Sequence, residues 1–129
     1  MKIHHVGYLV KNTQKAMKPF LELGYSAEGN TILDEYRGIE ITFLQKDGYE
    51  VELVSPVRKD SVAYGLMKKY GNAPYHICYE TQDMDTEIGH LRDNGYVLWE
   101  EPHAAVAFEN KRVCFLIHPY MGMIELKEV

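Results

Sequence analysis

The stretch that decides the fold is His5-Val6-Gly7-Tyr8, because the chain returns to it at His76-Ile77-Cys78-Tyr79. The offset of 71 also lays Asn12 on Asp83, Met17 on Ile88, Phe20 on Leu91 and Gly24-Tyr25 on Gly95-Tyr96. Toward the end of each half the offset is 73, where Val51-Glu52-Leu53 meets Ile124-Glu125-Leu126. Two extra residues in a loop of the second half would account for the change. Four matched blocks in one order mark an internal duplication, which a single shared dipeptide would not.

Each half carries the same punctuation. Lys2 to Val10 is rich in β-branched and aromatic residues and predicts a strand. Asn12 or Thr13 can cap a helix with Met17, Phe20 and Leu21 as its apolar stripe, ended by Gly24. Pro19 lacks an N–H and crowds the carbonyl of Lys15, so a kink or a late start is expected there. Strands follow near 25–33, 39–45 and 49–54, the last two joined by the turn signal Asp47-Gly48. The second half repeats the order. A strand over 75–80 leads to a helix from Asp83 that carries Met84, Ile88 and Leu91 and stops at Gly95. Strands near 96–100, 112–116 and 122–127 close the set. The linker 55–74 holds a possible short helix over 61–70. The expectation is an α+β chain, a single domain over 1–129, made of two βαβββ modules at about 1–54 and 75–129. A module of about 55 residues is near the lower limit for folding alone, so the two are expected to share a core or to pair with another chain.

Composition excludes several classes. The chain has 129 residues, 46% apolar and 26% charged, the make-up of a globular protein. Its formal charge of −5 argues against a nucleic-acid partner, whose phosphates call for a basic excess. No apolar run approaches the length of a membrane span, and Met1-Lys2-Ile3-His4-His5 lacks the apolar stretch of a signal peptide. Cys78 and Cys114 have no zinc-binding spacing, so free thiols and a cytoplasmic location are expected.

The repeat singles out four polar residues. His5 and His76 lie on the first strand of their modules, Glu52 and Glu125 on the last. Strands alternate faces, so His5 shares a face with Gly7 and Leu9, and each glutamate points away from its aliphatic neighbours. The aliphatics belong to the helix side, which puts all four polar side chains on the other, concave face. A lone histidine on a strand is more often a hydrogen-bonded core residue, and a lone glutamate is usually solvated. Recurrence of both types at equivalent positions favours a shared role. Two imidazoles and two carboxylates suit a divalent ion such as Zn, Ni, Co, Fe or Mn, with two positions left open. Parity puts His4 on the helix side. His90 on the second helix, His103 in a loop and His118 before Pro119 are read as non-ligands.

The stretches His4-His5-Val6-Gly7-Tyr8-Leu9-Val10, Val51-Glu52-Leu53-Val54-Ser55-Pro56, Tyr75-His76-Ile77-Cys78-Tyr79-Glu80 and Met123-Ile124-Glu125-Leu126 resemble the vicinal oxygen chelate superfamily. That superfamily includes glyoxalase I and methylmalonyl-CoA epimerase. The resemblance covers essentially the whole chain. It implies a curved eight-stranded mixed sheet, the glyoxalase/bleomycin resistance/dioxygenase-like fold, with metal ligands at His5, Glu52, His76 and Glu125. Similar bacterial glyoxalases carry the same His, Glu, His, Glu order, whereas epimerases typically have Gln where this chain has Glu52. The linker, through Asp60-Ser61 and Met67-Lys68-Lys69-Tyr70-Gly71, looks like the epimerase linker. So does the last hairpin, with Lys111-Arg112-Val113 and His118-Pro119. Epimerases often carry a Pro-Glu-Gln-Gly stretch that contributes a catalytic glutamate. Here Glu35-Tyr36-Arg37-Gly38 takes that place, with the glutamate one position off.

The resemblance implies a metal-dependent lyase or isomerase. A carbonyl oxygen and a neighbouring oxygen of the substrate would chelate the ion, an α-proton would leave, and an enediolate would form. In the glyoxalase-like version Glu125 or Glu52, loosened from the metal, is the candidate base, with Glu35 behind them. Arg37, Lys68, Lys69 and Arg112 are candidates to attract an anionic carrier, glutathione or a CoA thioester. Solvated surface charge is the plainer reading of each cation. The same fold also serves non-catalytic binding or resistance proteins, which usually lack the ligands, and extradiol dioxygenases, which use two His and one Glu. A homodimer is expected, and the four ligands can come from one chain or from two.

Overall fold

The computed structural model describes residues 1–129. In chain order the elements are β1 (Lys2–Leu9), α1 (Thr13–Glu22), β2 (Ser26–Asp34), β3 (Ile39–Lys46), β4 (Tyr49–Pro56), α2 (Val62–Tyr70), β5 (Ala73–Thr81), α3 (Met84–Asp93), β6 (Val97–Ala105), β7 (Lys111–His118) and β8 (Gly122–Glu128). A single 3-10 turn, Val106–Phe108, lies between β6 and β7. The chain divides into two compact units, His5–Tyr75 and Met1–His4 with His76–Val129. The linker helix α2 therefore belongs with the first module.

In the first unit β1 runs parallel to β4, with Gly7 opposite Glu52. β3 is antiparallel to β4 and β2 to β3, giving the order β2-β3-β4-β1. In the second unit β5 runs parallel to β8, with Cys78 opposite Glu125. β7 is antiparallel to β8 and β6 to β7, giving β5-β8-β7-β6. The expected βαβββ order is thus met twice. Asp47 (φ 53°) and Gly48 (φ 83°) both take left-handed backbone, as a two-residue hairpin turn between Lys46 and Tyr49 requires.

Helix starts follow the caps. The side chain of Asn12 accepts from Lys15 N, that of Ser61 from Tyr64 N, and that of Asp83 from Thr86 N. α1 starts on time despite Pro19. The proline sits in its seventh position and deprives only the carbonyl of Lys15, an exposed residue, of its helical donor. Leu21, expected in the apolar stripe, is 46% exposed instead. Val10, Leu44, Val51 and Leu53 form the buried core of the first unit, joined by Tyr8, Ala16, Met17, Phe20 and Tyr25. Met84, Ile88, Leu91, Cys114, Leu116, Ile124 and Leu126 form that of the second. Each module thus has a helix-on-sheet core of its own. β6 runs further than expected, to Ala105, so His103 lies on a strand and not in a loop.

Candidate metal and catalytic site

The parallel pairing of each module places its histidine two residues before the partner of its glutamate. In the first unit His5 precedes Gly7, which pairs with Glu52. In the second His76 precedes Cys78, which pairs with Glu125. Residues two apart on a strand share a face, so each histidine and glutamate meet on one side of their sheet. His5 Nε2 lies 3.6 Å from Glu52 Oε1, and His76 Nε2 lies 3.4 Å from Glu125 Oε2. His5 is 1% exposed and the other three are 3% exposed. A buried carboxylate is costly without a compensating charge, and each module bears that cost at the same register position.

The donor set fits a divalent ion. Two donors at right angles about 2.1 Å from an ion lie about 3.0 Å apart, and both His–Glu separations are a few tenths of an ångström wider. Each half-site offers one imidazole nitrogen and one carboxylate oxygen, ligands that suit Zn and its first-row neighbours.

The structure adds residues that the sequence reading missed. Phe43 is the cross-strand partner of Glu52, and Phe115 that of Glu125. Their rings meet the histidines edge to face, at 6.1 Å and 77° for His5–Phe43 and 5.2 Å and 80° for His76–Phe115. One strand further out, Glu28 pairs with Phe43 and Glu100 with Phe115. Each module therefore repeats a row of four side chains across one face: His, Glu, Phe, Glu. The phenylalanines and outer glutamates repeat at an offset of 72, between the two offsets at which the halves align. The two extra residues of the second half do not share a loop. One is in the turn between β6 and β7, where Ala105 pairs with Lys111 across five residues against four between Asp34 and Ile39. The other is in the β7–β8 hairpin, where His118 pairs with Gly122 across three residues.

Glu50, two residues before Glu52, is held above the ordinary carboxylate range, first by burial and then by the charges of Glu28 and Glu52, with His5 opposing. The thiol of Cys114, in the core of the second unit, is pushed up to about 12, chiefly by burial. Cys78 is also fully buried, opposite Glu125. His4 is on the other face of β1 and packs edge to face on Phe108, with ring centroids 5.6 Å apart.

The remaining candidates lie elsewhere. Glu35 is exposed in the β2–β3 turn. Arg58 shapes that turn by donating to the carbonyl oxygens of Glu35 and Tyr36. Gly38 takes left-handed backbone (φ 67°), which strains any L side chain, and a Cβ there would also displace the Arg58 guanidinium, 2.8 Å away. Arg37 pairs with buried Asp34 at 3.0 Å. Arg112 forks onto Glu128, with contacts of 2.8 and 2.6 Å. Lys69, exposed on α2, has no carboxylate partner and lies over the Tyr70 ring at 5.3 Å. No helix is long and apolar enough to cross a membrane.

The model of the Glyoxalase/Bleomycin resistance protein/Dioxygenase superfamily matches residues 4–115. Mitochondrial methylmalonyl-CoA epimerase of Bos taurus is 24% identical over 119 residues, 92% of this chain and 67% of that protein. Ethylmalonyl-CoA/methylmalonyl-CoA epimerase of Cereibacter sphaeroides is 24% identical over 132 residues, 99% of this chain and 98% of that one. Among solved structures, hypothetical protein BH1468 of Bacillus halodurans superposes with a TM-score of 0.85 at 22% identity, covering 99% of this chain and 94% of that one. A point variant of Streptomyces coelicolor methylmalonyl-CoA epimerase, in complex with 2-nitronate-propionyl-CoA, superposes with a TM-score of 0.79 at 27% identity, covering 99% and 94%. These likenesses show the α+β fold expected from the duplicated sequence.

Proposed function

Because the chain belongs to the glyoxalase/bleomycin resistance protein/dioxygenase superfamily, we propose that it is a divalent-metal-dependent isomerase of acyl-CoA thioesters. It would invert the carbon next to the thioester carbonyl. The observation that carries the reading is the duplicated buried pair, His5 with Glu52 and His76 with Glu125. In this reading the four residues hold one ion together. Two carboxylates offset the charge of a divalent ion, which removes the objection to burying them. Both curated relatives bear the name of a methylmalonyl-CoA epimerase, which supports the substrate class.

When bound, the ion supplies Lewis acidity that favours negative charge on a carbonyl oxygen. The chain's own residues do the rest. Glu125 or Glu52 takes the α-proton, and inversion requires its return on the opposite face of the same carbon. Two carboxylates related by the repeat suit that exchange. The buried Phe43 and Phe115 keep water from the histidines. Glu35 is a weaker candidate, being exposed in its turn. Lys69 is the candidate for the phosphates of the carrier, whereas Arg37 and Arg112 are already engaged by Asp34 and Glu128.

The test is to load the purified protein with Zn, Ni, Co or Mn and follow deuterium exchange and epimerisation of methylmalonyl-CoA. Glu125→Gln should cost at least a hundredfold in kcat; full activity in that variant would remove Glu125 as the base. A glyoxalase-type activity is the second reading, favoured by Glu52 at a position where epimerases usually have Gln. Turnover of the glutathione hemithioacetal without methylmalonyl-CoA exchange would select it.

A further inference from the structure

The first unit has a cleft on the opposite side of β1 from His5. Tyr8 and Val10 belong to its walls, and by strand alternation they face α1 while His5, Gly7 and Leu9 face away. Its volume is about 650 Å³, within the range of small-molecule sites. Tyr8 and Phe20 build one wall, in edge-to-face contact at 5.2 Å and 87°. Ala16 and Pro74 add apolar surface, and Lys11 and Lys15 stand at the rim. No carboxylate lines the cleft, and neither lysine has an ion-pair partner. The rim is pinned where Lys11 N–H donates to Asn72 Oδ1 at 2.7 Å and Lys15 N–H to Asn12 Oδ1 at 2.9 Å.

Two uncompensated cations on one apolar cleft run against the charge of a chain whose formal balance is −5. Elsewhere Arg37, Arg112 and Lys127 each have a carboxylate within 3.2 Å. We propose that this cleft is a second ligand site, separate from the His–Glu face, for a small organic anion with a flat apolar body. The aromatic wall takes the body, and the lysines take its carboxylate, sulfonate or phosphate. An uncharged ligand of the same shape gains the wall contacts alone, so the charge sets the affinity and makes it dependent on salt.

The full-length protein is titrated with 1-anilinonaphthalene-8-sulfonate and, separately, with uncharged N-phenyl-1-naphthylamine, following fluorescence. The sulfonate should bind one per chain, at least tenfold tighter than its uncharged twin, with or without EDTA. The double variant Lys11→Gln/Lys15→Gln should lose that tenfold while keeping the wild-type Tm. Ala16→Met, which fills the cleft from α1, should weaken both probes. The proposal is overturned if the two probes bind within twofold of each other. It is equally overturned if the double-lysine variant binds the sulfonate as the wild type does, an outcome that stands whether or not Ala16→Met folds.

Discussion

Glu52→Gln separates the two sides of the metal proposal, because it should move stability and metal affinity in opposite directions. Glu52 is 3% exposed and 3.6 Å from the His5 imidazole. Gln keeps the volume and removes a buried charge. At a pH where the imidazole is neutral no charge is left unpaired, so the metal-free protein should gain about 1–2 kcal/mol. For 129 residues, an unfolding entropy of about 2.1 cal/mol/K per residue converts 1 kcal/mol into about 4 °C. The metal-free Tm should therefore rise by about 4–8 °C. The loaded protein behaves in the opposite way. An ion at a thousand times its Kd stabilises the wild type by about 4 kcal/mol, a Tm rise of about 15 °C. Loss of an outer hydrogen-bond partner costs 10–100-fold in metal affinity, so loss of a ligand should cost at least ~100-fold. At the same metal concentration the variant then gains only about 1.4 kcal/mol, or about 5 °C. Differential scanning calorimetry with EDTA and with graded Zn or Ni measures both. Equal metal-induced shifts in wild type and variant would refute the ligand role of Glu52. A large fall in metal-free Tm would refute the view that Glu52 is a cost to the empty fold.

Phe43→Leu and Phe115→Leu should each weaken metal binding about tenfold, in the range set by loss of an outer partner. The metal-free Tm should fall by no more than for an ordinary volume-conserving core exchange, and chelator competition reads the difference. Cys78 and Cys114 are both fully buried, and the Cys114 thiol is held near 12, so neither should react with Ellman's reagent at pH 8 until the chain unfolds. Glu128 titrates below its ordinary range because Arg112 donates to it, so the stability it contributes is complete above about pH 5 and is lost as the pH falls through its lowered folded-state value. Arg112→Gln should accordingly flatten the decline of Tm below about pH 5, which a thermal-melt series across pH measures.

The duplicated blocks carried the fold a long way. His5-Val6-Gly7-Tyr8 against His76-Ile77-Cys78-Tyr79 marked both first strands, and Asn12 and Asp83 marked both helix starts. Side-chain alternation then assigned each histidine and glutamate to a face without any coordinates, because the strand period of two is a property of the backbone. The limits appear at particular residues. Phe43 and Phe115 escaped notice because an extra residue in the β6–β7 turn moves them to an offset that neither matched block shares. Leu21 fitted the helical period yet lies exposed, since period alone does not say how wide a stripe the neighbouring strands cover. Arg37 and Arg112 looked available until the fold supplied Asp34 and Glu128 as partners.

By itself the sequence determined two modules, their element order and the face of each duplicated polar residue, all consequences of local period, capping and turn chemistry. The tertiary structure decided what those faces meet: the phenylalanine beside each histidine, the carboxylate on each arginine, and the two lysines at an apolar cleft. Such pairings depend on strand register and on bulges, and a one-residue slip in either exchanges every partner across the sheet.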